Sequence, residues 1–209
     1  MTSQTVSNEL ALMRRSNSAG RQTYVLYVPS IVEKMLTSGD IETSDITKAI
    51  VGFISVLPHQ GKCWNAGEVK LSAAQKGYGP LMYQFAMSDF TGGLFPDRGS
   101  TSSAARVVWQ KYGQRADVVK KKFDDEKNPK TPDPADDCSM ARGTTMDGDE
   151  AYLNQAYDAP GDASGRSGFM TKHKEFLASM AAKKIQSGVV ESTIENLGDE
   201  YFGGRYRDG

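Results

Sequence analysis

The chain is poor in the residues that most often carry recognisable chemistry. Among its 209 residues there are two cysteines and two histidines. Cys63 and Cys138 lie far apart in different contexts, which is not a disulfide framework. They are expected as thiols in a reducing, cytoplasmic setting. A surplus of one charge is also missing, since the formal net charge is -1. That excludes nucleic-acid binding by bulk electrostatics, and no basic stripe stands out. Long apolar runs are absent: Ala49 to Leu57 is far below the roughly 20 residues needed to cross a bilayer. Neither a membrane span nor a signal peptide is therefore expected, as MTSQTVSNEL lacks a basic head followed by an apolar stretch. Metal-ligand spacing is lacking too. Asp133, Asp136, Asp137 and Cys138 cluster in a Pro-rich stretch without a second ligand set, which reads as a solvated acidic loop with no metal.

What is present is organised around Gly67 to Met87, GEVKLSAAQKGYGPLMYQFAM. It opens as an apolar alternation at Gly67, Val69 and Leu71. It bends through Ser72-Ala73-Ala74 and Gly77-Tyr78-Gly79. It ends with Leu81, Met82, Phe85 and Ala86 at helical spacing. Strand, glycine turn and helix together present bare backbone N–H groups to an anion.

Around this stretch, residues 1–22 read as a flexible lead-in, with a short helix as an option at Asn8 to Arg15. Thr23 to Val28 is strand-like and is stopped by Pro29. Ile31 to Leu36 makes one or two helical turns, and Glu42 to Ile46 is ambiguous. Ala49 to Leu57 is a strand buried on both faces, paired antiparallel with Glu68 to Ser72. Leu94 and Phe95 form a very short strand. Ser100 to Ser103 offers hydroxyl caps to a helix whose Ala105, Val108, Trp109 and Tyr112 share a face. Residues 119–168, rich in Pro, Asp and Gly, read as a loop or linker with little apolar area to offset ordering; only Asp149 to Tyr157 looks helical. Phe169 to Ile185 is an amphipathic helix, and 169–209 forms a C-terminal helix and tail. The fold class is α/β (α+β), with a mixed sheet.

Two stretches resemble the GNAT superfamily of coenzyme A-dependent N-acyltransferases. Ala74-Gln75-Lys76-Gly77-Tyr78-Gly79 has the glycine spacing of the family's [R/Q]-x-x-G-x-[G/A] turn, with Ala74 in place of Arg or Gln. Ser102, Ala105, Val108, Trp109, Lys111 and Gly113 fall on the spacing of N-x-x-A-x-x-L-Y-x-K-x-G-F, with Ser for Asn and Trp109 for Tyr. The wording of GYGPLMY and PDRGSTSSAARVVWQKYGQR is similar to GNAT-like proteins encoded by tailed bacteriophages. The resemblance covers 23–118. It implies a mostly antiparallel central sheet flanked by helices, acetyl-CoA as cofactor, an amine on a small molecule or protein as acceptor, and a host-cytoplasmic or virion location.

The resemblance also implies roles. Gln75, Lys76, Gly77, Tyr78 and Gly79 would hold the pyrophosphate. Leu71, Ser72 and Ala73 would pass the pantetheine arm and polarise the thioester carbonyl from the backbone. Trp109 would pack on the cofactor. Glu68 would be the base, its pKa raised by burial, unless it faces solvent beside Lys70. Trp109 stands where the family's tyrosine acid is found, and indole N–H is no acid at neutral pH. Tyr112 is then the acid, with Tyr78 and Tyr83 as other phenols.

Two other readings stay open. The chain is a catalytically inactive structural or partner-binding phage protein, docking through its C-terminal helix and the YFGGRY tail. Alternatively Gly61-Lys62-Cys63-Trp64, similar to the nucleophile region of papain-like cysteine proteases, pairs Cys63 with His173.

Overall fold

The computed structural model describes residues 9–39, 43–99, 101–139, 151–160 and 163–203. Seven strands form one mixed, mostly antiparallel sheet: β1 (Ala11–Ser16), β2 (Gln22–Tyr27), β3 (Ile50–Pro58), β4 (Gly67–Ala74), β5 (Leu94–Pro96), β6 (Val119–Lys122) and β9 (Gln155–Asp158). Their spatial order is β1-β2-β3-β4-β5-β9-β6. Only β4 and β5 run parallel within it. A small parallel pair, β7 (Asp124–Asp125) with β8 (Asp137–Cys138), stands beside it. No helix among the described residues is long and apolar enough to cross a membrane.

Local sequence explains many of the boundaries. β2 stops before Pro29, which begins helix α1 (Pro29–Ser38), where a missing N–H costs nothing. Gly39, at φ 73°, ends α1 in the left-handed conformation. The ambiguous stretch is helix α2 (Thr43–Ala49). Helix α3 (Gly79–Met87) carries Pro80 in its first turn. Helix α4 (Ser103–Gln114) is capped by Ser102, whose Oγ accepts from the Ala105 amide at 3.2 Å. Helices α5 (Ala163–Ala182) and α6 (Ser187–Gly198) follow, and a wide turn at Asp199–Gly203 completes the described chain.

Period-two alternation along the strands sends apolar side chains to both sheet faces. On one face Leu12, Tyr24, Leu26, Ile54 and Val56 pack under α3 and α4 with Phe85 and Trp109. On the other, Met13, Val25, Tyr27 and Phe53 meet Val32 and Met35 of α1, Phe176 and Met180 of α5, and Val190 and Ile194 of α6. Each such fully buried aliphatic or aromatic side chain contributes roughly 1.5–3 kcal/mol of transfer free energy. The amphipathic C-terminal helix is thus packed on its own sheet. Its His173 is hydrogen-bonded through Nδ1 to the Tyr27 hydroxyl, at 2.7 Å.

Three expectations are corrected. The N-terminal lead-in contains strand β1, with Leu12 opposite Leu26, because pairing to β2 outweighs its polar flanks. The stretch taken as a linker supplies β6 and β9, joined antiparallel with Lys121 opposite Ala156, so the sheet extends beyond 23–118 on both sides. Of the helix expected at Asp149 to Tyr157, Ala151–Asn154 is a short 3-10 turn and the following residues are β9; Asp149 itself lies outside the described residues. β9 places Tyr157 in the core against Trp109, which offsets the ordering entropy that polar neighbours could not.

The cysteines are corrected as well. Cys63 and Cys138 form a disulfide across 75 residues. Both are fully buried in a third cluster with Ala66, Phe95, Phe123 and Ala156. The bridge ties β8 to a turn at Cys63–Asn65. All three residues of that turn hold left-handed φ values of 50°, 58° and 55°. Trp64 anchors it by donating from Nε1 to the Lys122 carbonyl at 2.7 Å and from its amide to the Ala135 carbonyl at 2.5 Å.

Candidate binding cleft

The parallel pair is brief. Gly67, Glu68 and Val69 of β4 lie opposite Leu94, Phe95 and Pro96, and there β5 ends. From Lys70 to Ala74, β4 keeps β3 on one side and has no strand on the other among the described residues. A bulge falls at the same place: Ser55 and Val56 of β3 oppose Leu71 and Val69, which leaves Lys70 as the extra residue. A strand edge bent open in this way carries N–H and C=O groups available to a ligand.

A cleft of about 330 Å³ lies along the stretch of β4 that β5 does not cover. Its walls are Ser72, Ala73 and Ala74 of β4, Gly79, Met82 and Tyr83 of α3, Ala104, Ala105 and Val108 of α4, and Phe202 of the C-terminal turn. Small residues on both sides keep the slot open. A Cβ placed on Gly79 would meet no atom within 4 Å, so it would project into free space at the cleft wall. Gly77 sits at φ 97°, where a side chain would be strained. The Gln75 amide donates to the Val51 carbonyl at 2.8 Å and the Tyr78 amide to the Gln75 carbonyl at 3.1 Å. Among the described residues, the amides of Lys76, Gly77 and Gly79 have no backbone acceptor. They lie at the positive end of α3.

The expected residues fare differently. Ser72, Ala73 and Gly79 line the cleft. Lys76 and Gly77 are exposed beside it, and Tyr78 packs partly against the core. Leu71 turns to the opposite sheet face. Gln75 does not reach out: its Nε2 donates to the carbonyls of Thr47 and Ile50 at 2.7 and 2.9 Å, so it clamps the turn to the start of β3. Trp109 is 1% exposed and packs on Tyr83, Tyr112 and Tyr157 rather than in the cleft. Tyr112 is likewise buried, below the guanidinium of Arg115, and burial raises its pKa. The phenol that does line the cleft is Tyr83, whose hydroxyl lies 2.6 Å from Ser72 Oγ.

Glu68 lies in the paired half of β4, inside a charged cluster. His59 donates to it through Nε2 at 3.1 Å and Lys70 through Nζ at 3.1 Å. Lys70 also pairs with Asp97 at 2.9 Å. The Arg98 guanidinium stacks over Phe95. Burial pushes the Glu68 carboxyl up, but the His59 hydrogen bond and the charges of Lys70 and Arg98 outweigh it and bring it down to about 2. The expected upward shift is therefore reversed. A carboxylate held this acidic is a poor proton acceptor at neutral pH.

The other candidates are separated by the fold. Cys63 is oxidised in its disulfide and His173 bonds Tyr27, so the Cys63–His173 pair does not form; the histidine beside the disulfide is His59, whose Nδ1 lies 3.8 Å from Cys63 Sγ. The acidic loop is not solvated throughout: Asp124 and Asp136 are buried, and with Asp137 they bring carboxylate oxygens within 4.8 Å of one another. Backbone amides of Lys130 and Thr131 donate to Asp124, and the Thr131 hydroxyl donates to Asp136 at 2.9 Å.

Sequence reasoning did not reach Ala104, and met Phe202 only as part of the docking tail. Ala105 and Val108 were visible only as a helical stripe, and Tyr83 as one phenol among several. Nothing local in YFGG signals that its phenylalanine reaches a cleft formed by residues 72–108. Comparison with family models, curated proteins and solved structures finds no match to this chain.

Proposed function

We propose that the chain is a GNAT-like N-acyltransferase that takes an acyl group from a coenzyme A thioester and gives it to an amine. One observation carries this reading: a cleft along the part of β4 beyond its parallel pairing with β5, with Gly79 at the start of α3 in its lining and an open strand edge along its wall. The joint occurrence of the fork, the unengaged amides and the open space at Gly79 fits a thin, anion-headed ligand better than a turn that needs glycine only for packing.

The bound thioester supplies an activated acyl carbon. The amides of Lys76, Gly77 and Gly79 hold its phosphates. The open backbone edge of Lys70 to Ala74 orients the arm and polarises the carbonyl. The amine nitrogen forms its bond to the acyl carbon as the carbon–sulfur bond breaks. Tyr83, positioned by Ser72, donates the proton that the departing thiolate takes. Glu68 is already ionised and bonded, so it fixes Lys70 and His59 in place, and the amine proton leaves to water.

A second reading is favoured by a specific observation. Trp109 and Tyr112 are packed away from the cleft and Glu68 is held far too acidic for a base. These features suit a partner-binding phage protein that keeps the scaffold without catalysis.

Titration calorimetry with acetyl-CoA tests the first reading. Binding by the parent protein and its loss in Gly79→Trp, whose indole would fill the slot, is the expected result. Absence of heat with the parent protein would sink the acyltransferase reading and leave the second.

A further inference from the structure

Nine of the ten residues lining the cleft come from 72–108; the tenth, Phe202, comes from the far end of the chain. Phe202 is 4% exposed and belongs to the core on the face away from α3 and α4, where Leu71 and Ala73 of β4 also pack. It therefore meets the cleft from beneath the open edge of β4, whereas the glycine turn and α4 wall it from above. The cleft thus has a polar end, at the unengaged amides and Gly79, and an aromatic end.

The aromatic end is fixed in place. Gly198 lets the end of α6 settle directly on Phe53, since a Cβ there would come within 2.6 Å of the Phe53 ring. Arg15 on β1 holds Glu195 at 2.7 Å and also donates to Ser192 at 3.2 Å. The Tyr201 and Phe202 rings pack at 4.6 Å between centroids. The first two contacts hold α6 on the sheet, and Tyr201 packs on the Phe202 ring itself.

We infer that Phe202 sets the length of acyl group that the cleft admits: short chains such as acetyl fit, and long ones are refused. This rests on the acyltransferase reading above. A thioester with its phosphates at the glycine turn points its acyl carbon through the fork, past Ser72, toward the face where Phe202 stands. Shortening Phe202 opens apolar space against Leu71, Ala73 and Phe53, which suits added methylenes and offers nothing to a second carboxylate. The carboxy-terminal segment is then part of the substrate site.

The test is a calorimetric ladder of coenzyme A, acetyl-CoA, butyryl-CoA and octanoyl-CoA on the parent protein and on Phe202→Ala and Phe202→Leu. The parent should bind acetyl-CoA at least about tenfold more tightly than octanoyl-CoA, the discrimination that a few methylenes typically give. Phe202→Ala should tighten octanoyl-CoA by about tenfold with free coenzyme A unchanged, and Phe202→Leu should fall between. If coenzyme A binds but the ladder is the same in all three proteins, this inference is overturned and the acyltransferase reading stands. If no coenzyme A species binds the parent, both fall. Should Phe202→Ala fail to fold, Phe202→Leu decides: an unchanged ladder there rejects the inference.

Discussion

The two halves of β4 are built on opposite terms. Gly67 to Val69 is covered on both edges, by β3 and β5, and its neighbourhood is closed by a disulfide and a ring of ion pairs around Glu68. Lys70 to Ala74 has one strand neighbour and small side chains facing a slot. One strand thus passes, at a single bulged lysine, from an anchored segment to an accessible one. The difference separates two kinds of residue that look alike in sequence: Glu68 and Ser72 both sit on the same alternating strand, yet one is bound into structure and the other lines the cleft.

The sharpest way to break this contrast is at the disulfide. Cys63→Ala should cost about 4 kcal/mol in urea unfolding, the loss expected for a bridge closing a loop of this size. Ligand binding at the cleft by the protein that remains folded should be little changed. A stability unchanged by the substitution would show that the anchored half is held by packing alone.

Next comes Glu68→Gln. The folded carboxyl lies near 2 against an ordinary value of 4.5. A lowered carboxylate pKa adds stability that is fully present above the unfolded value. It is lost as pH falls from about 4.5 toward 2. The parent should therefore lose stability over that window, by an amount on the order of 2 kcal/mol. The variant should be weaker at neutral pH and flatter below pH 5. Equal acid profiles for the two proteins would remove Glu68 from the anchor.

Tyr83→Phe, in the accessible half, should behave the other way. Losing its hydrogen bond to Ser72 should cost only about 1 kcal/mol in thermal or urea unfolding. On the proposed acyltransferase reading, acyl transfer should slow while acetyl-CoA still binds. If transfer proceeds at the parent rate, another group protonates the thiolate.

The smallest effect is expected at Asp137→Asn. Burial and the neighbouring charges of Asp136, Asp124 and Asp133 raise the Asp137 carboxyl. An acid raised on folding opposes stability once it is ionised, so the amide should lift the melting temperature slightly at pH 7. That gain should vanish under acid conditions. A melting temperature that falls would mean the ionised group is needed.

Much of the sheet was readable from residues alone. β2, β3, β4 and α3 carry their own signals: a proline at the end of β2, a doubly apolar run, a glycine turn, and a helical stripe. β1 and β9 do not. Their side chains are ordinary, and only pairing to distant strands makes them extended. The cleft was legible at Ser72, Ala73 and Gly79, where small residues announce close approach. It was not legible at Phe202, which reaches it through the packing of α6. Tyr112 and Tyr83 could not be ranked beforehand, because helical periodicity tells which face a residue takes and not whether that face meets core or slot. The disulfide stayed hidden for a related reason: two cysteines 75 apart carry no pairing signal until the fold brings β8 beside the Cys63 turn.

The last strand of the sheet, β6, has a consequence for the molecule among its own copies. It reads Val-Lys-Lys-Lys and closes one rim, with β9 as its one neighbour among the described residues. A bare strand rim invites the rim of another molecule to join it. Here any such second copy would bring a row of ammonium groups against an identical row. Lys121 is held inward by Asp158 at 3.0 Å, while Lys120 and Lys122 remain exposed. The stretch that looked least like structure therefore guards the sheet against growing from one molecule into the next.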